Sequence, residues 1–124
     1  MGLLDGLMGN ASEVDIDEIT AELQDILSET ETIASAYKLI RDMLVITNKR
    51  IIFIDKQGMT GKKVSYQNIP LKSITNYIVE TAGNFDTDSE LKIWISGQSA
   101  PIEVELKAKL AASVQKSIAD QLFA

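Results

Sequence analysis

The tightest constraint on this chain lies between residues 43 and 55. Met43-Leu44-Val45-Ile46-Thr47 and Arg50-Ile51-Ile52-Phe53-Ile54-Asp55 are two short runs rich in β-branched and aromatic residues, separated only by Asn48-Lys49. Such runs read as strands, and the two-residue connection reads as a hairpin turn, since asparagine tolerates positive φ. Successive strand side chains point to opposite faces. Ile51 and Phe53 therefore share one face and Ile52 and Ile54 the other, and residues 43–47 are also apolar on both. A small one-layer β structure offers a core to one face only. The other needs a cover, either the chain's own N-terminal helix or a second subunit. Met43, Ile52 and Ile54 are accordingly candidates for a subunit interface.

Further strand patterns surround this hairpin. Residues 32–41 precede it. Residues 62–69 follow a turn marked by Gln57-Gly58 and Gly61 and stop at Pro70, which cannot donate to a ladder. Residues 71–81 form a long candidate strand, and 82–89 a polar loop. Residues 90–96 and 101–106 make a last hairpin around Gly97. Here the alternation is clean: Ile102, Val104 and Leu106 interleave with Glu103 and Glu105, which gives one wet face. Leu91, Ile93 and Ile95 take the core side, leaving Trp94 outward beside Lys92 as a candidate interface anchor. Seven closely spaced strands with hairpin connections favour a barrel or sandwich.

Helices bracket the strands. Asp15 and Glu18 make a capping-box-like start, and Ile16, Ile19, Leu23, Ile26 and Leu27 form an apolar stripe over 15–27. Leu3, Leu4, Leu7 and Met8 suggest a short helix that Gly2, Gly6 and Gly9 weaken, so it needs a partner surface. Over 108–123, Leu110, Val114, Ile118 and Leu122 recur every four residues, as in a helix suited to plugging a barrel. The expected organisation is an acidic helical arm over 1–29 and a barrel with its capping helix over 30–124. At 124 residues the chain is long enough for one real core.

Charge divides along the same line. Residues 1–31 carry nine acids and no base, whereas residues 38–72 carry eight bases against Asp42 and Asp55. The arm can lie against a basic body in its own subunit or a neighbour, or the two faces can be solvated separately. Lys49, Arg50, Lys62 and Lys63 are the candidate anion contacts, with ordinary solvated lysines as the plainer alternative. Nucleic acid does not fit, because aromatic residues are sparse and the net charge is −6.

Composition removes most chemistry. The chain has no histidine and no cysteine, which excludes imidazole bases, thiolate nucleophiles and zinc sites built on either residue. The segment Gly58-Met59-Thr60-Gly61-Lys62-Lys63 lacks the spacing of a phosphate loop. The alternating carboxylates of Asp86-Thr87-Asp88-Ser89-Glu90 can face calcium, but without the glycine and distal glutamate of an EF-hand they read as a solvated turn. No catalytic residue, cofactor or metal is expected. With no basic, continuously apolar leader, a cytoplasmic location is the expectation.

The segments Lys38-Leu39-Ile40-Arg41-Asp42, Thr47-Asn48-Lys49-Arg50-Ile51-Ile52-Phe53 and Asp55 to Lys63 strongly resemble the bacterial pleckstrin-homology-like domain family. The likeness continues through Ile69-Pro70, Glu80-Thr81-Ala82-Gly83 and Glu90-Leu91-Lys92-Ile93-Trp94. It implies a mainly β fold with helices: a seven-stranded, strongly bent antiparallel PH-like barrel capped by a C-terminal helix, with an N-terminal helical extension. It also implies ring-shaped homo-oligomers, with pentamers as the expected number, and no enzyme activity. Eukaryotic relatives of that fold often bind phosphoinositides through basic residues near the first inter-strand loop. Here that loop is close to Arg41-Asp42, one base beside one acid, which argues against the same ligand. The functional expectation is a self-associating binding or scaffold module. The alternative is a peripheral membrane adaptor on anionic lipid head groups, which the base-free N-terminus opposes.

Overall fold

The computed structural model describes residues 14–39, 42–57, 63–81 and 88–124, with no description of the side chains of residues 56 and 57. Expectations placed on residues 1–9, on Gly58 to Lys62 and on most of the 82–89 loop fall outside this set. Helix α1 (Ile16–Leu23) precedes strands β1 (Ile33–Lys38), β2 (Met43–Thr47), β3 (Arg50–Gln57) and β4 (Lys63–Pro70). A 3-10 turn (Leu71–Ser73) leads to β5 (Ile74–Glu80), β6 (Asp88–Ile95) and β7 (Ile102–Lys107), and a second (Ala108–Leu110) leads to helix α2 (Ala111–Leu122). All ladders are antiparallel, in a four-stranded sheet β1-β2-β3-β4 and a three-stranded sheet β5-β6-β7. The seven expected strands and both helices are present.

The main core lies between the sheets. Leu44, Ile46, Ile51, Phe53 and Ile69 from the first sheet meet Leu91, Ile93 and Leu106 from the second. Ala111, Val114 and Ile118 of α2 close the assembly. Two polar contacts set the position of α2 on β1. The Tyr37 hydroxyl lies 2.8 Å from Ser113 Oγ, and Ser35 Oγ pairs with Ser117 Oγ. At the β6–β7 hairpin Gly97 takes φ +85°, a conformation that a side chain resists.

A second core lies on the opposite face of the first sheet. Ile33, Ala36, Val45, Ile52 and Ile54 are covered there by Ile19 and Leu23 of α1, with Ile16, Leu27 and Met43 packed around them. Burying each large aliphatic side chain contributes roughly 1.5–3 kcal/mol, which is ample reason for a short helix to dock. Asp15 caps α1 by accepting from the Asp17 N–H at 2.9 Å. The helix stops at Leu23, four residues before the end of its apolar stripe. Arg50 Nη2 donates to the Ile26 carbonyl at 2.6 Å, and the Ser28 N–H donates to Glu31 Oε1 at 3.0 Å. The Ile26 and Leu27 N–H groups both donate to the Leu23 carbonyl, at 2.9 and 3.1 Å, so the helix closes there in a tightened turn.

Two local expectations change. Residues 71–73 form a 3-10 turn, not the start of a strand, with Leu71 buried. Among the described residues no non-glycine has positive φ, so Asn48 does not turn the chain in the expected way. Instead Thr47 Oγ1 accepts from the N–H groups of Lys49 and Arg50 at 3.0 and 2.9 Å. Asn48 bridges outward, accepting from Thr32 N at 2.9 Å and donating to Thr30 O at 3.2 Å.

Candidate functional site

The β2–β3 turn collects more polar chemistry than any other described part of the chain. Glu31 is 7% exposed and accepts from Arg50 Nε at 2.8 Å, Arg50 Nη2 at 2.9 Å, Thr47 Oγ1 at 2.6 Å and Ser28 N at 3.0 Å. Burial alone raises its pKa. The hydrogen bonds from Arg50, Thr47 and Ser28, together with the Arg50 charge, outweigh that and bring it from 4.5 to about 2. A carboxylate so fully engaged is a fastener between arm and barrel. Its Arg50 partner, which also reaches Asn68 Oδ1 at 3.1 Å, has little left for an external anion.

The four basic candidates do not converge. Arg50 pairs in register with Pro70, and Lys63 with Gln57 at the far end of β3. At about 3.3 Å per residue, the two ends of that strand lie roughly 20 Å apart. Lys62 falls outside the described residues. Lys49 is exposed and lines a groove of about 390 Å³ with Asn48, Pro70, Leu71, Lys72, Gln121 and Leu122. Lys72 is therefore the cation that the fold places with Lys49. The sequence reading missed it because the two lie 23 positions apart. The Leu71 N–H donates to Lys49 O at 2.9 Å and stitches the two turns together.

The interface candidates separate as well. Ile52 and Ile54 are 0% and 1% exposed, and Met43 is half-buried against the same cluster. Helix α1 is thus the cover that their pattern demands, and in this arrangement Ile52 and Ile54 offer nothing to a second copy. Trp94 is half-buried on the outer face of the second sheet, opposite Asn76. Ile78, opposite Lys92, is on the same face, which is otherwise mostly charged. Glu80, Glu90 and Glu105 face one another across the three strands, with Lys92 3.3 Å from Glu80 and 3.8 Å from Glu90. Asp88 and Glu90 are alternate residues of β6 and flank the buried Ser89, so their stretch is strand and not a calcium-type turn.

Each sheet has two edge strands. Among the described residues, β1 and β4 in the first sheet and β5 and β7 in the second each pair on one side only, and no ladder joins the two sheets. Of these, β4 and β5 carry an exposed large apolar side chain, Tyr66 at 43% and Ile78 at 40%. The sequence alone could not show which strands end up at an edge.

Comparison with known proteins places these features in context. The chain matches the family model described as Bacterial PH domain over residues 2–122. The uncharacterized protein YjqA of Bacillus subtilis (strain 168) is 56% identical over 101 residues, 82% of this chain and 81% of that one. Among solved structures, a pleckstrin homology domain from Shewanella amazonensis is 55% identical, with a TM-score of 0.84, and the match covers 99% of this chain and 100% of that one. A DUF1696 family protein with a pleckstrin-homology domain from Shewanella loihica is 54% identical, with a TM-score of 0.80, and coverage of 90% and 96%. Among the described residues, no helix is long and apolar enough to cross a membrane.

Proposed function

The chain belongs to the bacterial pleckstrin-homology domain family, and from that premise we propose that it works by binding, as a non-enzymatic scaffold that self-associates into a ring. One observation carries this reading: of the four edge strands, β4 and β5 each bear an exposed large apolar side chain. Open edges invite pairing with another chain unless they are blunted. Because β4 and β5 are different surfaces, a contact joining one to the other is heterologous. Repetition of such a contact closes into a ring when the rotation allows. The resemblance read from the sequence implies the same geometry, with five copies as the expected number. Trp94, Tyr66 and Ile78 are the exposed or half-exposed large side chains available to that contact.

Multi-angle light scattering on the purified full chain tests the reading. A discrete multimer is the expected result, and a strict monomer at micromolar concentration overturns it.

A further inference from the structure

We propose that the groove between the β2–β3 turn, the Pro70–Lys72 segment and the last turn of α2 binds a small amphiphilic anion, a phosphate or carboxylate on a compact apolar body. This proposal is independent of self-association. The groove's volume of about 390 Å³ falls within the range usual for small-ligand sites, roughly 300–1,000 Å³. Its lining contains two lysines and no acid. Among the described residues, Arg50, Lys92 and Lys116 are each bound to a carboxylate, whereas Lys49 and Lys72 are bound to none. Two like charges left unneutralised on one concave surface raise the local potential, and an anion between them relieves it.

The backbone beneath both lysines is already fixed. Lys49 is held through its N–H by Thr47 Oγ1 at 3.0 Å and through its carbonyl by the Leu71 N–H at 2.9 Å. Ser73 Oγ donates to Pro70 O at 2.8 Å across the Lys72 turn. Binding then orders only side chains and ligand, which keeps its entropic cost low. The apolar part of the ligand has Pro70 and Leu122 to rest on, and Phe123, the residue after Leu122, is 73% exposed. The C-terminal end of α2 carries partial negative charge, so the anion belongs on the lysine side of the groove.

Calorimetric titration with phenyl phosphate, inorganic phosphate and benzyl alcohol tests the site in the full chain and in a Lys49→Gln/Lys72→Gln variant. Both lysines are exposed, so the variant is expected to fold, and an unchanged circular dichroism spectrum checks this. Saturable binding of phenyl phosphate is expected, roughly tenfold or more weaker in the double variant. Inorganic phosphate is expected to bind more weakly and benzyl alcohol not at all. A parallel arm measures co-sedimentation with phosphatidic acid vesicles. Vesicle binding that needs both lysines, without phenyl phosphate binding, assigns the same anion chemistry to a lipid head group. No binding in either arm, or binding undiminished in the double variant, overturns the site. Equal affinity for inorganic phosphate overturns the amphiphilic part of the assignment.

Discussion

The two sheets solve the same problem differently. The first buries both of its faces, one in the main core and one beneath α1, so Ile51 and Ile52 are adjacent in sequence and both 0% exposed. The second buries one face and leaves the other in water, so Ile102, Val104 and Leu106 alternate with exposed Glu103 and Glu105. A continuous apolar run in an antiparallel strand is therefore a request for a second cover. The outer face of the second sheet is mostly charged and makes a smaller request, confined to Trp94 and Ile78.

Substitutions can break or sharpen that contrast. The largest effect is expected from Ile52→Asp, which places an unpaired carboxylate under α1 and removes apolar burial. A loss of at least about 4 kcal/mol should follow, a large part of the roughly 5–15 kcal/mol that holds a domain folded. Urea unfolding measures it, and near-native stability would mean that α1 is not a tight cover.

A smaller effect is expected from acid. The pKa of Glu31 is lower in the folded chain, about 2, than its ordinary 4.5, so the unfolded chain binds the proton more readily. Its contribution is complete above about pH 4.5 and fades as pH falls toward 2. The amount at stake is on the order of 3 kcal/mol. Glu31→Gln should lower stability at neutral pH and flatten the acid limb between pH 5 and 2, read by thermal melts across that range. An unflattened limb would place the acid sensitivity in other carboxylates.

The smallest effect, of opposite sign, belongs to the second sheet. Glu105→Lys replaces a like-charge cross-strand pair with Glu90 by an attractive one and should stabilise by roughly 0.2–1 kcal/mol. A loss of stability there would show that the outer face is not simply solvated.

Much of this was legible in the residues. The limits of β2 are those the apolar run predicts, and Gly97 marks a real hairpin. The cover over Ile52 and Ile54 was legible as a need but not as an identity, because periodicity records that a face is buried and not by what. Asn48 was read for its backbone tolerance, yet its work is to join Thr30 and Thr32, residues 18 and 16 positions away in the chain. Lys49 was paired with Lys62 and Lys63 by composition, whereas strand length puts the β4 end far away and brings in Lys72. Glu31 was hidden among eight other acids in a base-free stretch. Nothing local distinguishes the one carboxylate that an arginine 19 positions later draws inside.

That carboxylate, Thr47 and Arg50 hold one another so closely that they cannot drift separately. Replacing Arg50 alone strands a buried negative charge. Replacing Glu31 alone takes the charged acceptor from a guanidinium and a hydroxyl and leaves them only neutral ones. Each single step away from the trio is therefore expected to pass through a less stable chain, a toll that only a change at two positions at once avoids.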